Sequence, residues 1–134
     1  MSKSSVNALK RKIHLIISVI VVIPVAFIYG FNIESTLEIS PITTDEFNLL
    51  KAVMGIYLGF AFLWLIGLLK NRYLKVALVS NMIFMLGLGF GRLISFAFDG
   101  LPSMAFIVGT AGELTLGFYG VWVLTNKNLN FAEK

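Results

Sequence analysis

Three charged residues lie inside apolar stretches of the sequence, where lipid would surround them: Lys51, Arg92 and Glu113. A charge inside a bilayer costs about 3 kcal/mol on membrane-insertion scales, so such a residue suggests a function or a specific pairing. Lysine or arginine can anchor an anion, and glutamate can orient that cation or exchange a proton. We therefore take these three residues as the centre of a candidate site.

Helical spacing adds polar neighbours to this site. Residues three, four, seven or eleven positions apart share one face of an α-helix, which has about 3.6 residues per turn. The polar residues that align with one of the three charges in this way are Asn48, Asn81, Ser95, Asp99 and Thr110. Together with the charges they form the predicted ligand-binding set.

The pairing within this set is open to two arrangements. Either Asp99 or Glu113 can pair with Arg92. We expect Glu113 to be the partner, because an acid placed deep in the bilayer gains more from a charged neighbour. Lys51 is then the free cation and the better anchor for an anion.

Several of these residues also have purely structural interpretations. Lys51 can extend to the membrane surface, and Arg92 and Glu113 can pair only to fix the helix register. Asn81 can form a hydrogen bond between helices instead of contacting a ligand. Two further residues are predicted at the membrane interface: His14 at the cytoplasmic edge, and Tyr29 as an aromatic anchor near a helix end.

The sequence offers few residues for metal binding, thiol chemistry or nucleotide binding. The sequence has no cysteine and a single histidine, which excludes thiolate sites and His-rich metal sites. We assign no catalytic residue, metal or cofactor. The glycines at 87, 89 and 91 lack the spacing and the strand–helix context of a nucleotide-binding loop. The Gly-x-x-x-Gly pairs at 55–59 and 87–91 instead predict close helix packing, within the chain or in a homo-oligomer.

The elements that must position these residues are membrane helices. The chain is 57% hydrophobic and 13% charged, an excess of apolar surface that 134 residues cannot bury in a soluble core. Each apolar stretch is close to the roughly 20 residues that cross a bilayer, and only helices satisfy their own backbone there. The sequence predicts an all-α integral membrane protein, an antiparallel four-helix bundle forming one domain over 1–134. The predicted helices are 13–31, 47–69, 74–98 and 102–124, with an outer loop at 32–46.

The orientation follows from the basic residues. Nine of the eleven Lys and Arg residues flank the predicted helices on one face of the membrane, and the opposite loops carry acids. Basic flanks mark the cytoplasmic side. Both termini are therefore predicted in the cytoplasm. The net charge of +4 arises from these flanks, so we expect no nucleic-acid partner.

Short strings in the second to fourth helices resemble a known family. They are KAVMGIYLG at 51–59, GRLIS at 91–95, DGLPS at 99–103 and GEL at 112–114. They resemble the bacterial membrane family named domain of unknown function 4345, in which an arginine stands where this chain has a lysine at position 51. The resemblance implies a four-helix membrane domain whose recurring charged positions are Lys51, Arg92, Asp99 and Glu113. It also implies a bacterial protein, which we therefore expect in the inner membrane. A more distant similarity to DoxX-like four-helix membrane proteins rests on architecture.

Four functions compete for this site. The favoured one is the binding of an anionic or amphipathic, lipid-like molecule between the helices, with Arg92 as the anion anchor and Lys51 as an auxiliary cation. A proton-coupled carrier would use Glu113 as its proton site. An intramembrane enzyme would use Glu113 as a general acid or base, but no nucleophile or second acid accompanies it. An accessory subunit would use the charges structurally.

The topology can be tested with single cysteines, because the native chain has none. Cysteines at Ser40 and Asn126 should react with an impermeant maleimide from opposite sides, Ser40 from outside the cell and Asn126 only after permeabilisation. Labelling of both positions from the same side would contradict four crossings.

Overall fold

Helices make up nearly all of the computed structural model, which describes residues 3–126 and 129. The chain forms α1 (Lys3–Phe27), a π-helical turn (Ile28–Asn32), α2 (Ile33–Leu37), α3 (Thr44–Leu69), a 3-10 turn (Asn71–Tyr73), α4 (Leu74–Phe98) and α5 (Met104–Thr125). Four helical stretches are long and apolar enough to cross a membrane, which confirms the predicted set of four. Lys127 and Lys134, which contributed to the predicted orientation, lie outside the described residues, as does the side chain of Lys3.

The first helical stretch is longer than predicted at both ends. It begins at Lys3 instead of residue 13, and after the π-helical turn it continues through α2 to Leu37. Hydropathy marks only the part of a helix that lies in lipid, whereas the basic segment before it also favours helix. The predicted loop at 32–46 therefore shrinks to residues 38–43. Glu38, with a left-handed φ of 57°, ends α2 and donates its backbone N–H to the Glu34 carbonyl.

The capping box predicted before α3 is confirmed, although α3 begins at Thr44 and not at residue 47, and the start of α5 is shifted. Thr43 and Glu46 form the predicted capping box at α3, in which each side chain accepts the other residue's backbone N–H. Pro102 was predicted in the first turn of the fourth long helix, but α5 begins at Met104 after the Ser103 N-cap. Gly100, with a φ of 99°, makes the turn that precedes it.

The basic flanks converge at one end of the bundle. The Lys12 ammonium donates to the Leu68 carbonyl at 3.2 Å and to Asn71 Oδ1 at 3.1 Å, which ties α1 to the connection between α3 and α4. We call this the basic end. The opposite end, which holds α2 and the connection between α4 and α5, is the acidic end.

Two helix pairs form most of the packing. α4 packs most closely on α5 and α1 on α3, while α3 also packs on α4, and α1 and α5 have few contacts with each other. An aromatic cluster fills the region between α3 and α4. The Phe84 ring lies edge-on to Tyr57 and to Trp64, with centroids 5.1 Å and 5.3 Å away. The loose contact between α1 and α5 is what leaves room for a site.

Glycines allow the close approach of α4 and α5. A Cβ added at Gly117 would lie 2.6 Å from a Leu86 methyl carbon, and one at Gly89 would lie 2.5 Å from a Leu114 methyl carbon. Each helix thus receives a leucine of the other where it has a glycine. For the pairs at 55–59 and 87–91 packing was predicted within the chain or between copies, and packing within the chain is not found, because a Cβ at any of these four glycines would meet nothing within 4 Å. Packing of these glycines between copies stays a prediction.

Gly117→Ala should lower the free energy of unfolding of the detergent-solubilised protein by about 1–3 kcal/mol, because the new methyl group overpacks the contact with Leu86. Gly112→Ala on the same helix is the matched control, since its Cβ would meet nothing within 4 Å and helix propensity then favours alanine. Thermal midpoints of both variants check this. Equal midpoints for the two variants would contradict the assigned packing.

Candidate functional site

An ion pair joins α4 to α5 inside the bundle. Arg92 Nε lies 3.0 Å from Glu113 Oε2, and the two side chains are only 19% and 15% exposed. This confirms the arrangement in which Glu113, and not Asp99, is the partner of Arg92. Asp99 instead accepts a hydrogen bond from Ser95 Oγ at 2.8 Å on the exposed surface of the acidic end. The pair therefore neutralises both intramembrane charges that face the interior.

Tyr29 and Phe106 complete the surroundings of the guanidinium. Arg92 Nη2 donates to the Tyr29 hydroxyl oxygen at 3.2 Å, and the guanidinium carbon lies 5.1 Å from the centre of the Phe106 ring. Sequence reasoning missed this role, because it took Tyr29 for an interfacial anchor. The available signal was Pro24, which lies five residues before Tyr29 and predicts an irregularity in the helix.

A cavity of about 660 Å³ opens beside this ion pair, between α1 and α5. Its apolar walls include Ile17, Val21 and Val25 of α1 and Ala105, Val108 and Leu116 of α5. Val21 and Val108 are 48% and 63% exposed, so the cavity opens sideways from the bundle, in the direction of lipid.

Apart from the Thr115 hydroxyl, which donates to a backbone carbonyl of its own helix at 2.7 Å, the polar side chains of the cavity are concentrated on one wall. Tyr29, Tyr57, Arg92 and Glu113 all line it, and the last two are the only charged residues in its lining within the part of the chain that the structure describes. The cavity thus combines a large apolar volume with a compact polar patch. We call these four residues the polar wall.

Towards the acidic end, Arg92 also lines a second, smaller recess of about 240 Å³ with Ser95, Phe96, Pro102 and Phe106. Arg92 and Phe106 therefore belong to both spaces. Of the predicted site residues, Ser95 lies in this recess and not in the main cavity. Asp99 reaches the site only through its hydrogen bond with Ser95.

Lys51 and Asn48 lie away from the cavity. Both are exposed, and neither lines the cavity. The Lys51 ammonium lies 5.4 Å from the centre of the Phe47 ring and 5.7 Å from that of Phe31. This matches the structural interpretation of Lys51, in which the long side chain reaches the bundle surface.

Asn81 and Thr110 are buried but likewise do not line the cavity. Thr110 donates to the Phe106 carbonyl of its own helix at 2.8 Å. Asn81 lies 3.4 Å from the Ser18 hydroxyl, which also donates to the His14 carbonyl at 2.8 Å. His14, which was predicted at the cytoplasmic edge of the membrane, is buried inside the bundle: it is 1% exposed and its ring lies 5.2 Å from that of Tyr119. Its depth in the membrane stays a prediction. Within residues 3–126 and 129, no group of three or more potential metal ligands forms.

The ion pair should be strongly coupled. Arg92→Ala or Glu113→Ala alone leaves an uncompensated charge inside the bundle and should cost about 3–5 kcal/mol of stability, with reduced expression. Replacement of both residues by leucine should cost less than either single change. Lys51→Ala is the control for loss of an exposed charge. Thermal midpoints in detergent measure the coupling, and a double variant as unstable as the sum of the single variants would refute it.

Comparison with known proteins places the chain in a family. No curated protein and no solved structure matches it. A family model, Domain of unknown function (DUF4345), matches residues 11–124, which include nearly all of the four long helices and both partners of the ion pair. The chain is a small membrane protein with four spans, and it belongs to the DUF4345 family.

Proposed function

We propose that this protein binds an amphipathic, lipid-like molecule between α1 and α5, with the polar end of that molecule at Arg92. The observation that carries the proposal is the cavity of about 660 Å³ with apolar walls and a single polar wall. Ligand sites commonly have volumes of about 300–1,000 Å³ and combine apolar walls with a few convergent polar groups. A molecule with one apolar part and one polar end fits this distribution.

The side opening supports entry from the bilayer. Val21 and Val108, on either side of the opening, are 48% and 63% exposed and would contact lipid in a membrane. A lipid-soluble molecule could then enter between α1 and α5 without crossing water. The partner class is therefore membrane lipid or a small amphiphile dissolved in it.

The membrane itself belongs to this proposal. The basic residues of the basic end, among them Lys10, Lys12 and Lys70, favour the cytoplasmic side of a bacterial inner membrane. The polar wall would then lie nearer the outer leaflet, because Arg92 is six residues from the end of α4 at Phe98, on the acidic side.

A purely structural role explains less of the geometry. An ion pair that only fixed the register of α4 on α5 would account for Arg92 and Glu113, but not for the cavity beside them. A proton-coupled carrier would require Glu113 to leave Arg92 during each cycle, and no contact of the described residues favours this. Ligand binding accounts for both features.

The test is to fill the cavity. Gly112 lines it, and a Cβ there would meet nothing within 4 Å, so the side chain of Gly112→Phe should extend into ligand space. Native mass spectrometry of protein extracted from membranes should detect a bound small molecule in the wild type, with at least about a tenfold loss in this variant. Gly59→Phe is the matched control, because its Cβ also meets nothing within 4 Å and it lies outside the cavity lining.

Three outcomes decide the matter. Loss of the molecule in Gly112→Phe but not in Gly59→Phe supports the proposal. Equal retention in both variants places any bound lipid elsewhere on the surface. The structural role gains support if the wild type carries no molecule and also fails to bind amphiphiles added in lipid nanodiscs.

A further inference from the structure

The charges of the polar wall cancel each other. Arg92 and Glu113 lie 3.0 Å apart and are the only charged residues in the cavity lining within the described part of the chain. Lys51, the surplus cation in the sequence, is exposed, and its ammonium lies near the rings of Phe31 and Phe47. An anionic ligand would therefore bring an uncompensated negative charge into an apolar space, next to the Glu113 carboxylate. That burial is strongly unfavourable.

The hydrogen-bonding groups of the polar wall favour a ligand that accepts hydrogen bonds. The Tyr29 oxygen accepts a hydrogen bond from Arg92, which leaves the tyrosine hydrogen available. Within residues 3–126 and 129, no contact shows an acceptor for that hydrogen. A guanidinium also carries more N–H groups than the contacts with Glu113 and Tyr29 use. The Glu113 carboxylate, in contrast, is engaged by Arg92 through Oε2, which leaves mainly its second oxygen to accept a hydrogen bond. The wall thus offers a ligand more donor hydrogens than acceptor oxygens.

The chain holds Tyr29 in place through an unusual local structure. Tyr29 belongs to the π-helical turn Ile28–Asn32, which follows Pro24. Such turns insert an extra residue into a helix and redirect side chains, often at functional sites. The Tyr29 ring also lies edge-on to Tyr57, with centroids 5.5 Å apart. The donor site is therefore assembled from α4 and the π-helical turn and supported by α3.

We infer that the ligand's polar end is a neutral hydrogen-bond acceptor, such as the carbonyl of a ketone or an ester, which accepts from Tyr29 and Arg92. The inference rests on the proposed function and narrows its ligand class, because it excludes the anionic lipid suggested by the sequence. The apolar chain of the ligand then lies along the walls formed by α1 and α5.

The test uses three probes with similar chains and wild-type protein in nanodiscs of uncharged lipid. The probes are 2-heptadecanone as a neutral acceptor, hexadecanesulfonate as a permanent anion and heptadecane without a polar end. The ketone should bind about tenfold more tightly than the sulfonate and at least about fivefold more tightly than the alkane. Competition among radiolabelled probes measures the ratios.

The outcomes separate the two proposals. If the sulfonate binds as tightly as the ketone or more tightly, the inference of a neutral ligand is wrong, but the proposed binding function is not contradicted. Equal binding of ketone and alkane would also overturn it, because no hydrogen bond would then be made. If no probe binds at the site that the Gly112→Phe substitution fills, both proposals fail.

Two variants test the charge and the donor separately. Glu113→Gln leaves Arg92 unbalanced, so sulfonate affinity should rise about tenfold and the sulfonate should raise the thermal midpoint of this variant but not of the wild type. Tyr29→Phe keeps the charges and serves if Glu113→Gln does not fold. It should weaken ketone binding about fivefold and leave alkane binding unchanged. Lys51→Gln is the control and should change neither. Equal weakening of ketone and alkane in Tyr29→Phe would mean a packing role and contradict the inference.

Discussion

The ion pair between Arg92 and Glu113 constrains the rest of this bundle. Neither charge can face lipid at low cost, so α4 and α5 must present these residues to each other. That requirement brings the two helix axes close together, and the glycines at 89 and 117 provide the space by receiving Leu114 and Leu86. α5 therefore packs mainly on α4. α1 packs instead on α3, so α1 and α5 have few contacts with each other and a gap remains between them.

An apolar gap of this kind can persist in a membrane, although it would tend to close in water. Lipid chains are as apolar as the valines and leucines along α1 and α5, so little hydrophobic force pulls those helices together. The gap is then available to any lipid chain, and apolar contact alone discriminates little among occupants. Selectivity must come from the polar wall, where Tyr29, Tyr57 and the ion pair face the same space. Binding at this wall is the step that would distinguish a ligand from bulk lipid.

The sequence predicted what depends on composition and local spacing. Hydropathy identified the four helices, the capping box located the start of α3, and the depth of Glu113 identified it as the partner of Arg92. Residue types could not predict where long side chains end or how irregular turns redirect them. Tyr29 reaches Arg92 from a π-helical turn that no hydropathy pattern specifies. His14 is near the basic segment in sequence, yet the packing of α5 covers it.

The charge of a site is a property of an enclosed space and not of a sequence segment. Counted along the chain, Lys51 and Arg92 outnumber Glu113, and this surplus favours an anion. In the folded chain the Lys51 ammonium lies at the bundle surface near two aromatic rings, where the surroundings can hydrate or screen it. The space beside Arg92 is then electrically balanced. On the inference drawn above, the polar wall would recognise dipoles, because a carbonyl gains hydrogen bonds there without requiring the protein to bury a net charge.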